Sequence, residues 1–201
     1  MIKAIVFDSG GVIINQHLFF ERLGKIFMPK ESKIFWHQIN IEAIPLCKNL
    51  ISEEEYWNRI SRLTGKDPKK IPKNLWSRGY TSGTKANGDV MEIIKKLKNK
   101  YKLAIVSNSI KSHEKINRKR GIFDMFDEVV LSHKVGLTKD SKKIFLLAAK
   151  RLKVKPVECI FIDDVADFVK VAKSAGMNGI LFKNSAQLNK DMERILRYSI
   201  I

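Results

Sequence analysis

The sequence predicts an α/β protein: a parallel sheet with helices on both faces, plus an inserted all-helical block. Two observations predict it. From Ala86 onward, apolar runs of about four residues alternate with amphipathic stretches, the pattern of strands buried on both faces. Between residues 16 and 82 that alternation stops, and aromatic residues recur at helical spacing instead. A length of 201 residues suits one domain, or one domain carrying an insertion.

The elements follow in order. Ile2-Lys3-Ala4-Ile5-Val6-Phe7 is an apolar first strand that ends at Asp8 and two glycines. The block 16–82 carries Phe19, Phe20, Leu23, Ile26 and Phe27, then Ile34, Phe35 and Trp36, then Tyr56, Trp57, Ile60 and Leu63. These aromatics read as the core of a small helical unit rather than a base-stacking surface, because few are flanked by alternating basic residues. Ser52 with Glu55 three positions on reads as a capping box. Asn87 or Asp89 caps a helix bearing Val90, Ile93, Ile94 and Leu97. Leu103–Val106 is a short buried strand, 112–120 a polar helix and Glu128–Leu131 a strand. A helix over 141–152 puts Ile144, Leu147, Ala148 and Leu152 on one face. Cys159–Ile162 is the next strand, and the helix over 165–175 stops at Gly176. Gly179–Phe182 and the helix over 185–198 complete the chain. The expected division is therefore a core of residues 1–15 and 83–201 and a helical unit of residues 16–82.

Composition narrows the function classes. Hydrophobic residues make up 44% and charged residues 29%, as in soluble globular chains. Apolar stretches reach about six residues, far short of the roughly 18 that span a bilayer, so no membrane role is expected. The N-terminus runs straight into a strand with no leader pattern, and the two cysteines, Cys47 and Cys159, have no metal-ligand spacing. Reduced thiols and a cytoplasmic location are the expectation. The net charge of +17 attracts phosphorylated solutes and polyanions, so nucleic acid is considered as a partner. Clusters such as Lys95-Lys96-Leu97-Lys98-Asn99-Lys100 fall on amphipathic helical patterns and read as solvated faces.

Four groups of polar residues follow strand ends or lie beside them. They are Asp8 with Gly10, Ser107-Asn108, Lys139 in Gly136-Leu137-Thr138-Lys139, and Asp163-Asp164. In a parallel sheet such ends converge on one edge, where open α/β sheets place their sites. Hard carboxylate oxygens suit Mg²⁺. Lys, Ser and Asn suit a phosphate. A carboxylate beside a metal and a lysine can act as a nucleophile. This is equipment for phosphoryl transfer.

With all four in this order, the chain resembles the haloacid-dehalogenase-like hydrolase superfamily over nearly its whole length. Phe7-Asp8-Ser9-Gly10-Gly11-Val12-Ile13 is similar to its first motif, Val106-Ser107-Asn108-Ser109 to its second, Gly136-Leu137-Thr138-Lys139 with Ile144-Phe145 to its third, and Ile162-Asp163-Asp164 with Ala172 and Ala175-Gly176-Met177 to its fourth. The resemblance implies a Rossmann-like core and a helical cap over residues 16–82. It implies a phosphatase for a small phosphorylated metabolite, with Asp8 as the nucleophile that becomes an aspartyl-phosphate. Asp8, the Gly10 carbonyl, Asp163 and Asp164 would hold Mg²⁺. Ser107, the Asn108 N–H and Lys139 would hold the phosphate. A monomer or homodimer is compatible with all of this.

Three positions depart from the family pattern. Gly10 stands where the family usually has an acid/base Asp, a group worth roughly 10²–10⁴ in rate. Its loss favours substrates with good leaving groups. His17 is the nearby side chain that titrates near neutrality and is the candidate substitute. Asp140 follows Lys139 where Pro is usual and could compete for its ammonium; Phe168 stands where Asn is common. His37, His113 and His133 have no metal spacing, and His133 is expected at the surface. The competing reading, favoured by Gly10 and the charge, is a catalytically weakened relative that binds a phosphorylated ligand or RNA. A third is a phosphotransferase with an acceptor other than water.

Overall fold

The computed structural model describes residues 1–27, 32–72 and 75–198. Strand β1 (Ala4–Phe7) leads through a tight turn to the two-residue strand β2 (Ile14–Asn15). Four helices follow: α1 (His17–Phe27), α2 (Ser32–Cys47), α3 (Glu53–Thr64) and α4 (Leu75–Gly83). Strand β3 (Lys85–Ala86) then pairs antiparallel with β2, closing this helical segment at its base. The chain continues with α5 (Gly88–Lys98), β4 (Lys102–Ser107), α6 (Lys111–Lys119), β5 (Glu128–Leu131), α7 (Ser132–Val135), α8 (Lys142–Leu152), β6 (Cys159–Asp163), α9 (Ala166–Ser174), β7 (Asn178–Leu181) and α10 (Ser185–Tyr198).

The large sheet has the order β5-β4-β1-β6-β7, and every neighbouring pair is parallel. Strand β1 is central, and the chain crosses to β4 on one side and β6 on the other. Its C-terminal end is therefore the switch point of the sheet, where a crevice opens between diverging connections.

Side chains alternate along each strand and so feed two separate cores. Ile5, Phe7, Leu103, Ile105, Ile160 and Ile162 face one side with Val90 and Ile94 of α5 and Leu188 and Met192 of α10. Ala4, Val6, Ala104, Val106 and Phe161 face the other with Ile144, Phe145, Ala148 and Leu152 of α8 and Ala172 of α9. The first core runs on without a break into the helical segment, through Phe19, Leu23, Tyr56, Trp57, Trp76 and Tyr80. Those aromatics are buried and pack ring against ring: Phe27 stacks on Trp57 at 5.7 Å, and Trp57 lies 5.3 Å from Trp76. Phe19, Leu23, Phe27, Tyr56 and Trp57 form a core as their spacing predicts, and Trp76 and Tyr80 of α4 join it beyond that expectation. The side chain of Ile34 lies outside the described residues, and Leu63 is exposed.

Helix ends follow the chemistry of their caps. Asn87, not Asp89, caps α5, its Oδ1 accepting from Val90 N. Half of the expected capping box is present: Ser52 Oγ accepts from Glu55 N at 3.0 Å, while the Glu55 carboxylate takes Arg59 at 2.9 Å. The lysines of α5 at 95, 96 and 98 face solvent. Among the described residues, no helix is long and apolar enough to cross a membrane.

Candidate active site

The site is built at the switch point. Parallel register sets Phe7 opposite both Ile105 and Ile162, so Asp8 emerges level with Asp163 and beside the end of β4. The Asp8 N–H still donates to Ile162 O at 2.8 Å, which holds the residue to the sheet as the chain leaves it. The turn that follows is closed by Ile14 N to Ser9 O and Gly11 N to Ile14 O, each 2.8 Å. Gly11 has φ +84°, and a Cβ there would fall 2.2 Å from Asp164 Oδ2. Only glycine meets both conditions, the left-handed backbone and the close approach of a carboxylate.

Lys139 joins the carboxylates. Its Nζ lies 2.8 Å from Asp8 Oδ1 and 2.6 Å from Asp163 Oδ2, with all three side chains buried. The loop carrying it is pinned by its own N–H, which donates to Asn108 Oδ1 at 2.9 Å. The ammonium also sits 4.6 Å over the ring of Phe168, a cation–π contact that holds it from the apolar side. Asp140 does not compete: its carboxylate accepts from the Thr138 hydroxyl. Asp163 Oδ1 accepts from Val165 N at 2.8 Å, which orients its other oxygen toward Lys139.

Asp8, Asp163 and Asp164 each offer an oxygen, and these lie within 4.8 Å of one another. Three carboxylates around one ammonium leave excess negative charge. Burial raises Asp8 to about 7, with the Asp163 and Asp164 charges adding to the rise and Lys139 opposing it. Burial and the Asp163 charge raise Asp164 as well. A hard divalent cation bound by these oxygens would compensate that excess and restore the ionised form of Asp8. The donor set is all oxygen, as Mg²⁺ prefers.

Ser107 is buried at the end of β4, and Asn108 begins the loop that follows. His17 is the first residue of α1; its N–H donates to Asn15 Oδ1 at 3.0 Å and its ring is exposed. It lines a cleft of about 490 Å³ together with Gly11, Gln16 and Asp164. The structure thus brings together Asp8, Lys139 and Asp163 by direct contact, and Asp164 within metal-binding reach.

Other residues near the site escape a sequence reading. His133 is buried, not at the surface: Nδ1 lies 3.1 Å from Ser109 O and Nε2 2.9 Å from Glu114 Oε2. Its neighbour Ser132 accepts from Ser109 N and donates to Ser109 O. This network fixes the backbone just after Ser107-Asn108. Cys47 reaches back from the end of α2; burial pushes its thiol up to about 12, opposed by Lys139 and Ser132. Their signal is tertiary, since each partner is distant in the chain.

Comparison with known proteins identifies the family. Residues 2–176 match the haloacid dehalogenase-like hydrolase family. The chain belongs to that family. A D-ribitol-5-phosphate phosphatase from Bacteroides thetaiotaomicron is 25% identical over 98% of this chain and 99% of its own length. A glyceraldehyde 3-phosphate phosphatase from Methanopyrus kandleri is 41% identical over 38% of this chain, and the match spans 34% of that relative. A match to a mouse acyl-CoA dehydrogenase family member spans 19% of that much longer relative. Among solved structures, a HAD family enzyme from B. thetaiotaomicron in complex with magnesium and inorganic phosphate superposes with a TM-score of 0.69 at 25% identity, covering 91% of this chain and 95% of that one. The haloacid dehalogenase-like fold of this chain is thus shared with enzymes named as phosphatases.

Proposed function

We propose that this chain is a magnesium-dependent phosphatase that hydrolyses a small phosphorylated metabolite through an aspartyl-phosphate on Asp8. One observation carries the reading: a buried lysine bridges Asp8 and Asp163 at the switch point of the sheet, with Asp164 in reach of both. A pocket that only held a phosphate would gain nothing from three converging carboxylates, because they repel an anion.

The roles follow from position. Lys139 holds Asp8 Oδ1 at 2.8 Å and so fixes the carboxylate that would attack phosphorus. The Ser107 hydroxyl and the Asn108 N–H lie on the neighbouring strand end and donate to the phosphoryl oxygens. Asp8, the Gly10 carbonyl, Asp163 and Asp164 are the groups that would hold the metal. When bound, Mg²⁺ supplies charge neutralisation for the transferring phosphoryl group. Asp8 attacks, the bond to the leaving oxygen breaks, and water then releases phosphate from Asp8. Residues 16–82 act as a cap that selects the substrate, with residues 1–15 and 83–201 as the catalytic core. Two relatives are named as a D-ribitol-5-phosphate phosphatase and a glyceraldehyde 3-phosphate phosphatase, which makes sugar phosphates a first class of substrate to screen.

The test is hydrolysis of an aryl phosphate with Mg²⁺, with a chelator, and in Asp8→Asn. Metal-dependent release of phosphate that disappears in the variant is expected. No release at high enzyme concentration would sink the proposal and favour a binding module.

A further inference from the structure

Glycine at position 10 leaves a space, and Gln16 takes it. A Cβ built on Gly10 would lie 2.8 Å from Gln16 Oε1 and 2.9 Å from Nε2. The carboxamide therefore rests on the Cα of the residue two beyond Asp8. The Tyr80 phenol, which accepts from Asn117 Nδ2 at 3.1 Å, also feels the Gln16 amide. Gln16 also lines the cleft of about 490 Å³ that reaches Asp164. It stands beside both the Asp8 turn and the opening to solvent.

Most groups packed around it are committed to other partners. Lys139 is held by two carboxylates, Asp8 at 2.8 Å and Asp163 at 2.6 Å. Burial raises the Tyr80 phenol, which is bonded to Asn117. His113 stacks on Tyr80 at 3.8 Å, and burial lowers it to about 3, so it stays neutral. His17, exposed at the start of α1, lines the same cleft and is the competing candidate for contact with a leaving group. A carboxamide donates and accepts hydrogen bonds but does not ionise.

We infer that Gln16 is the side chain that meets the leaving oxygen, and that the site is therefore specific for phosphates whose leaving group departs as a stable anion, such as acyl phosphates and anomeric sugar phosphates. This rests on the phosphatase reading above. In the first step an Asp8 oxygen bonds to phosphorus and the bond from phosphorus to the leaving oxygen breaks. The electron pair goes with that oxygen, which departs unprotonated while Gln16 Nε2–H donates a hydrogen bond to it; its proton comes later from solvent. In the second step water oxygen bonds to phosphorus, the Asp8–phosphorus bond breaks with its electron pair returning to the carboxylate, and the proton of the water passes to solvent.

The experiment compares kcat/KM for para-nitrophenyl phosphate and a simple alkyl phosphate, with Mg²⁺. Wild type, Gln16→Glu and the double variant Gly10→Asp with Gln16→Ala are measured side by side. Without proton delivery the wild type should prefer the aryl ester by at least about 100-fold, the lower range of what general acid catalysis supplies. Gln16→Glu, nearly isosteric, or the double variant should cut that preference by about tenfold or more through a gain on the alkyl ester. A wild type that turns over both esters equally well, or a preference unmoved in both variants, overturns the inference and leaves the phosphatase reading standing. Absence of any Mg²⁺-dependent, Asp8-dependent turnover overturns both.

Discussion

At Lys139 two ion pairs and a ring face meet on one ammonium. Removing one partner of a buried pair leaves the other uncompensated, at about 3–5 kcal/mol. Lys139→Met should therefore lower the denaturant midpoint as well as abolish turnover, and added Mg²⁺ should recover part of the stability but not the activity. A stability equal to wild type would show that the ammonium is not what balances Asp8 and Asp163. Gly11 gives a second prediction. Alanine there meets a left-handed φ and the Asp164 carboxylate at once, so Gly11→Ala should weaken Mg²⁺ activation at least about tenfold, read as a rise in the metal concentration for half-maximal rate. Unchanged activation would mean that Asp164 can move without consequence. Asp8, Ser107, Asp163 and Asp164 were legible in the sequence because a strand that ends in a polar residue carries its own address, and Lys139 because of its offset from Gly136. Gln16, Phe168 and His133 were not legible in these roles, because each gains its place from a partner that packing, rather than spacing, brings near.

Among elements, the contact of α6 with α7 depends on one carboxylate. Glu114 takes Arg118 at 2.7 Å, Lys134 at 2.6 Å and His133 at 2.9 Å. Burial alone would raise its pKa, but hydrogen bonds from Lys134, Arg118 and His133 outweigh that and hold it at about 2. Its folded value lies below the ordinary 4.5, so its contribution is complete above about pH 4.5 and is lost as pH falls toward 2. With two of its partners half exposed, this contribution is on the order of 2 kcal/mol. Thermal melts across that range should show a fall for wild type that Glu114→Gln flattens; identical profiles would remove Glu114 from the acid response. Helix α4 crosses α1 at similarly close range. A Cβ on Gly83 would fall 2.9 Å from Phe19 Cα, so Gly83→Ala should cost about 1–3 kcal/mol through backbone displacement, measured by denaturant unfolding. A neutral result would show that the two helices can slide apart freely. The two-residue strands β2 and β3 and the four-residue helix α7 were beyond a sequence reading, since segments so short show no periodicity. Most of the longer helices were legible because their apolar positions recur with a helical period, and the five strands of the main sheet because they are short apolar runs between those helices.

Over the whole molecule, the sheet and the charge act together. The order β5-β4-β1-β6-β7 sets Asp8 at the central strand, where connections diverge and a ligand can enter. The sequence order of strands and helices implied a parallel sheet, but not which strand is central; that follows from long-range pairing. A net charge of +17 attracts anionic solutes to the molecule as a whole. The value of kcat/KM for a phosphate ester should fall severalfold from low to physiological salt, with kcat nearly constant, because screening acts on encounter. A salt-independent kcat/KM would confine the charge to a role in solubility. The proposed catalysis turns on a covalent bond at Asp8. The decisive measurement is the mass of the peptide that carries Asp8, after an acid quench during turnover of an aryl phosphate with Mg²⁺. One added phosphoryl group on that peptide, absent with a chelator and absent in Asp8→Asn, is the predicted result. Steady turnover with no phosphoryl group on Asp8, and with activity retained in Asp8→Asn, would contradict it.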